Sequence, residues 1–277
     1  MELKKGDCLE LLRELPDKSV DLVYTDVPYD IEGNGGGGCF GEKKRDYHSE
    51  YYSVSNNKTQ KLRDYHSEYI DTMLNPNASR ISKAKSSSSS SIAEIAFGFD
   101  DSVLDELVRV MKKIYIYIYI WCSKKQIPKL FKYFEKYNCF FDIFCWCKTN
   151  PIPACNGTYL SDIEYCLLFR EKGTKIYGCY DTKHKWYASP LNVADKKIWE
   201  HPTIKPIQIV KNHIYNALPE NYTRDFVVLD PFMGSGTTGV ACKKLGVDFI
   251  GMEVNDKWYE IAKERISKTK NLWITNY

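Results

Sequence analysis

The 277-residue chain contains no Cys-x-x-C pair; its ten cysteines are scattered, and Cys145-x-Cys147 is the only close spacing. That pattern argues against a zinc site and points to reduced thiols, mostly in the core, so no metal is expected. No apolar run reaches the length of a membrane span, and the N-terminus lacks the apolar core of a secretory signal. A cytoplasmic protein is the expectation. Charge of one sign is also scarce: 39 Lys and Arg stand against 36 Asp and Glu, a net charge of +3. Such a balance permits nucleic-acid binding without demanding it, so the case must come from local patches. What the chain does have is 43% hydrophobic and 14% aromatic residues, enough for a substantial core.

One stretch organises the rest. Phe226-Val227-Val228-Leu229 runs into Asp230-Pro231-Phe232-Met233-Gly234-Ser235-Gly236, and Thr237 opens an apolar-periodic segment. That order predicts a strand, a tight loop and a helix. The glycines would let the backbone pass close to a ligand. A second apolar run, Val247 to Met252, ends on Glu253. In a parallel sheet the two strand ends set Asp230 and Glu253 side by side at the carboxyl edge, where open α/β folds bind ligands. Gly234-x-Gly236-x-x-Gly239 also matches the dinucleotide fingerprint, with Glu253 in the place of its ribose-binding acid. An ionised Asp230 between strand and glycines is, however, a poor neighbour for a pyrophosphate. It suits a ligand carrying an ammonium or a sulfonium.

Asp230 to Thr238 resembles the S-adenosylmethionine-binding motif of the β-class DNA amino-methyltransferases, which modify adenine N6 or cytosine N4. In that family the catalytic motif lies N-terminal and the cofactor motif C-terminal. Gly6-Asp7, the strand Val20 to Thr25 and Asp26-Val27-Pro28-Tyr29 resemble its N-terminal pattern, with Val27 replacing the first proline of an Asp-Pro-Pro-Tyr tetrad. His201-Pro202-Thr203-Ile204-Lys205-Pro206 is similar to its His-Pro-Thr-x-Lys-Pro motif. The resemblance covers residues 1–31 and 99–268. It implies a doubly wound, mostly parallel α/β sheet with permuted motif order. It also implies that S-adenosyl-L-methionine is held by Asp7, His201, Thr203, Lys205, Asp230, Phe232, Gly234, Ser235, Gly236, Thr237 and Glu253. Lys205, near a helix start, would meet the methionine carboxylate.

The same resemblance assigns catalysis to Asp26, Val27, Pro28 and Tyr29. An exocyclic amine is a poor nucleophile because the ring withdraws its lone pair. Asp26 and main-chain carbonyls of the tetrad would accept the amino hydrogens and stabilise positive charge growing on nitrogen. Tyr29 would stack on a base flipped out of duplex DNA. Cytosine C5 chemistry needs a cysteine nucleophile, usually in a Pro-Cys pair, and no Pro-Cys occurs. An Asp-led tetrad favours adenine N6, with cytosine N4 as the alternative. Val27 lacks a ring to fix φ, which leaves open a catalytically impaired subunit of the same fold. A dehydrogenase is disfavoured by everything outside the glycines.

The remaining chain reads as a single methyltransferase domain over 1–277 interrupted by an insert at 32–98. That insert holds Gly35 to Gly38, Ser86 to Ser91 and a repeat, Arg45 to Tyr51 recurring as Arg63 to Tyr69. Leu9, Leu11, Leu12 and Leu15 predict a helix, and Ser102 with Asp105 resembles a capping box for the next. Strict Ile/Tyr alternation from Ile114 to Trp121 predicts a strand whose tyrosine face needs a helical cover. Ser123 to Gln126 would cap a further helix, Asn255 the last. Cys139 to Cys147 and Ile163 to Phe169 read as buried strands. Residues 170–200 interleave lysines with aromatics, so Lys183, Lys185 and Trp186 are the candidate DNA contacts in a target recognition segment. Double-stranded DNA is the expected partner, in a restriction-modification setting; no membrane is expected, and a homodimer is left open.

Overall fold

The computed structural model describes residues 1–29, 99–112, 116–151, 159–191, 193–199, 203–220, 222 and 225–270. The insert at 32–98 and His201 lie outside the described residues. In chain order the elements are β1 (Glu2–Lys5), α1 (Cys8–Glu14), β2 (Leu22–Asp26), α2 (Asp101–Val110), β3 (Tyr117–Cys122), α3 (Ile127–Glu135), β4 (Phe140–Lys148) and β5 (Ile163–Arg170). They continue as β6 (Trp186–Ser189), α4 (Val193–Trp199), α5 (Ile207–Ala217), β7 (Val227–Asp230), α6 (Thr237–Leu245), β8 (Asp248–Glu253) and α7 (Asp256–Lys268).

Among the described residues the strands form one eight-stranded sheet in the order β1-β8-β7-β2-β3-β5-β4-β6. From β1 through β3 every neighbouring pair is parallel; β5 runs antiparallel to both β3 and β4, and β6 is parallel to β4. The expected doubly wound, mostly parallel sheet is what forms. β1 was not legible: Glu2–Lys5 is four residues, half of them lysine, and it earns its pairing only against β8.

Short polar side chains start the helices, though not always the expected ones. Asp7 caps α1, accepting from the amides of Leu9 at 2.9 Å and Glu10 at 3.2 Å. Asp100, not Ser102, caps α2, taking the Ser102 amide at 2.8 Å. For α3 the Ser123 hydroxyl makes no cap; Gln126 reaches back to accept the Ser123 amide at 2.9 Å. Asn255 caps α7 as expected, through the Trp258 amide at 3.2 Å.

The tyrosine face of β3 finds its cover in α5. His213 stacks on Tyr119 with ring centroids 4.8 Å apart, and its Nδ1 lies 3.2 Å from the Tyr24 hydroxyl. Trp121 Nε1 donates to that hydroxyl at 2.9 Å. Burial holds the His213 imidazole down to about 3, so it is neutral and packs as an aromatic plate. β4 departs from the reading of a fully buried strand. Phe144 and Trp146 are buried, whereas Phe141 and Ile143 on the opposite face, and Phe140 at the start of the strand, stay exposed.

Candidate active site

Parallel strands deliver their last residues to one edge of a sheet. Asp26, Asp230 and Glu253 close β2, β7 and β8 there. Because β5 runs the other way, its first residues reach the same edge: Cys122 pairs with Tyr165, which puts Glu164 just beyond the end of β3. Two clusters result.

The first is built on the β7 loop. Lys5 pairs with Glu253, and the Gly6 amide donates to the Glu253 carbonyl at 3.0 Å, so Asp7 arrives beside Glu253. The Glu253 carboxylate accepts the Gly234 amide at 2.9 Å and the Asn255 amide at 2.8 Å. Gly234 and Gly236 both sit at positive φ, +49° and +77°, which explains the glycines of a turn this tight. At Gly236 the crowding differs from the expected approach of a ligand. A Cβ there would lie 2.9 Å from Ala262 Cβ and 3.1 Å from its Cα, so α7 packing demands the glycine.

Asp230 is 2% exposed and accepts the Thr238 hydroxyl at 2.6 Å and the Phe232 amide at 3.2 Å. Burial pushes its carboxyl up to about 7, away from the plainly ionised group that the sequence suggested. Ser235 and Thr237 are buried and face Arg265, whose Nη1 donates to Ser235 Oγ at 3.3 Å and Thr237 Oγ1 at 2.8 Å. Arg265 also lies 3.5 Å from Asp195 on α4. Phe232 packs against Phe99 with centroids 6.3 Å apart, and Thr203 is half-buried in a turn.

The second cluster is ionic. Lys205 Nζ lies 2.5 Å from Asp26 Oδ2 and 3.0 Å from Glu164 Oε2, and it donates to the Tyr29 hydroxyl at 3.3 Å. Lys148 Nζ holds the other Glu164 oxygen at 2.9 Å. Lys205 was expected to meet the methionine carboxylate; here two protein carboxylates already engage its ammonium. At Glu164 burial works upward, but the ammoniums of Lys205 and Lys148 win and hold the carboxyl down at about 2. Asp26 shares a single ammonium, so there burial wins and the carboxyl is raised. Asp26 Oδ1 is closed off from solvent and has no hydrogen-bond partner among the described residues.

Val27 carries a backbone N–H that proline would lack, and it donates to the Trp121 carbonyl at 3.2 Å. The Val27 side chain is buried, and the Pro28 carbonyl accepts Gln126 Nε2 at 2.8 Å. The tetrad main chain is therefore pinned at two points without the missing ring. Glu164 had no role in the sequence reading and Gln126 only that of a helix cap; each reaches the site through a contact with a residue distant in the chain.

Lys183, Lys185 and Trp186 are exposed, with Lys185 paired to Asp142, and Trp186 opens β6, the neighbour of the β4 strand that ends on Lys148. β3, β5 and β4 separate β6 from β2, about 19 Å of sheet at ordinary strand spacing.

The chain has relatives in sequence and in fold. A family model described as DNA methylase, of the N6/N4 amino-directed type, matches residues 20–264, and the chain belongs to that family. Its members use S-adenosyl-L-methionine. Type II methyltransferase M2.LlaDCHI of Lactococcus lactis subsp. cremoris is 35% identical over 136 residues, 44% of this chain and 49% of its own length. The match thus spans about half of that relative. Type II methyltransferase M.HinfI of Haemophilus influenzae is 23% identical over 286 residues, covering 96% of this chain and 68% of that one. In fold, the chain resembles the crystal structure of an M1.HpyAVI complex with S-adenosylmethionine, at TM-score 0.56 and 22% identity over 95% of this chain and 98% of that one. It also resembles the cytosine-N4-specific PvuII DNA methyltransferase, at TM-score 0.59 and 16% identity over 95% and 85%.

The residues present fit the family cofactor. A buried acid whose carboxyl is pushed up to about 7 and a second acid on the adjacent strand flank a positive-φ glycine loop, an acceptor set suited to an ammonium and to ribose hydroxyls. No helix among the described residues is long and apolar enough to cross a membrane.

Proposed function

We propose that this chain methylates the exocyclic amine of a base flipped out of double-stranded DNA, with adenine N6 as the acceptor. The observation that carries this reading is the Asp26 carboxylate at the end of β2, partly exposed at the site edge and held through Oδ2 by the buried Lys205. S-adenosyl-L-methionine supplies an electrophilic methyl when bound. Asp7, Asp230, Phe232, Gly234, Glu253 and the 201–205 segment would hold it, with Ser235, Gly236 and Thr237 shaping the loop through Arg265 and α7.

The Asp26 carboxylate accepts one amino hydrogen and a main-chain carbonyl of the tetrad accepts the other. Both acceptors gain strength as positive charge grows on nitrogen, and the surplus proton leaves towards Asp26. Tyr29 supplies the aromatic face for the base, its hydroxyl tethered by Lys205. Lys183, Lys185 and Trp186, well away from the reacting centre, serve the flanking duplex.

The test is mass spectrometry of nucleosides from DNA incubated with the protein and methyl-labelled cofactor. Label in N6-methyladenine is expected. Label in N4-methylcytosine would move the acceptor to cytosine, and no label on any DNA would make the chain a cofactor- or DNA-binding subunit.

A further inference from the structure

Four side chains of alternating sign run along the site edge: Lys148, Glu164, Lys205 and Asp26. Consecutive members lie 2.9, 3.0 and 2.5 Å apart. They come from the end of β4, the start of β5, the segment before α5 and the end of β2. Only the last belongs to the catalytic tetrad. A lysine bound to Asp26 alone would neutralise the carboxylate it holds and weaken it as an acceptor. Glu164 changes that balance, because it draws on the same ammonium from the opposite side.

We propose that Glu164 is a positioning residue that shares Lys205 with Asp26, so that Lys205 fixes the Asp26 carboxylate through Oδ2 without cancelling its strength as an acceptor for the target amine. Lys148 sets how far Glu164 draws on Lys205, since it occupies the other Glu164 oxygen. The use made of the Asp26 carboxylate rests on the amine-methylation reading; the sharing of Lys205 does not. Other groups facing Asp26 are the thiols of Cys122 on β3 and Cys166 on β5, Asp230 on β7 and the Tyr29 hydroxyl. Burial raises both thiols and Tyr29, which keeps them neutral at working pH and leaves Lys205 as the cation in the balance.

The experiment uses the full chain carrying Glu164→Gln and, separately, Lys148→Met. Carbon-13 carboxyl NMR follows the titration of Asp26, assigned by its loss in Asp26→Asn. Removing the Glu164 charge leaves the whole ammonium to Asp26, so its titration falls by about one pH unit. Lys148→Met makes Glu164 lean harder on Lys205, so the Asp26 titration rises. Should Glu164→Gln not fold, the rise in Lys148→Met still decides the matter. In methyl transfer, Glu164→Gln lowers kcat about tenfold with KM for the cofactor within about twofold. An Asp26 titration that neither variant moves overturns the proposal, as does loss of cofactor binding with unchanged kcat. A parent protein that transfers no methyl group while both titration shifts appear would instead refute the amine-methylation reading alone.

Discussion

The two halves of the site edge are built by different forces. The cofactor half centres on one continuous run, β7-loop-α6-β8, shaped mainly by hydrogen bonds: Thr238 to Asp230, the Gly234 amide to Glu253, and Arg265 to Ser235 and Thr237. The catalytic half is gathered from four separate segments and held by charge, with Lys205 buried between Asp26 and Glu164. A contiguous loop can be shaped by local backbone conformation, and its glycines record that shape. A cluster drawn from distant segments has no local geometry to rely on. It needs interactions strong enough to hold side chains in place, and buried ion pairs supply them at a desolvation cost.

The sharpest way to break this comparison is to remove the shared cation. Lys205→Met leaves two partly buried carboxylates facing each other, and the cost of breaking a fully buried pair, about 3–5 kcal/mol, is the upper bound of the loss. Denaturant unfolding should show that loss above neutral pH. The loss should shrink as pH falls, because the orphaned carboxyls then take up protons more readily in the folded state than in the unfolded one. A uniform loss at every pH would mean that packing, not charge, holds this half.

The cofactor half predicts a different pH behaviour. Asp230 titrates at about 7 in the free protein because burial disfavours its charge. Its folded value lies above the unfolded one, so its proton favours the fold at acid pH and that contribution is lost as pH rises through about 7. A cofactor ammonium would demand the ionised form. Calorimetric affinity for S-adenosylmethionine should therefore weaken by up to about tenfold per pH unit below that value and level off above it. Asp230→Asn should flatten the profile.

Smaller effects sharpen the picture. Val27→Pro restores the family tetrad yet removes the N–H bonded to the Trp121 carbonyl. A net loss of about 1 kcal/mol in stability is expected, with no gain in turnover; a faster enzyme would show that the ring, not the hydrogen bond, aims the carbonyl. At the far edge of the sheet, Lys183→Ala with Lys185→Ala should lower the slope of DNA affinity against salt by about 1–2 and leave cofactor affinity alone. Equal slopes would return this segment to an ordinary solvated surface.

The same contrast governs what could be read from sequence. The cofactor half was legible because strand, glycine turn and helix follow one another, and Glu253 closes the next strand. The tetrad was legible as a segment, and so was the Ile/Tyr strand that needed a cover. What could not be read was whatever depends on pairing. Glu164 reaches the site only because β5 runs antiparallel, a reversal that no periodicity in Ile163–Arg170 announces. Lys205 reads as a cofactor ligand from its place before a helix, and only the folded chain shows two carboxylates engaging it. Gly236 reads as room for a ligand, whereas its neighbour is Ala262, on a helix that the loop itself does not predict. At Val27 the sequence records a missing ring; the hydrogen bond gained in its place appears only in the β2–β3 register.

The division of labour between the two halves is tested most directly at Asp26. Asp26→Ala should be assayed for S-adenosylmethionine binding by calorimetry and for transfer of labelled methyl to DNA in a single turnover. The account predicts cofactor affinity within about twofold of the parent and methyl transfer slower by about 10²–10³, the loss of one preorganised acceptor. Full-rate transfer by Asp26→Ala would contradict it, and so would a loss of cofactor binding that accounts for the whole fall in rate.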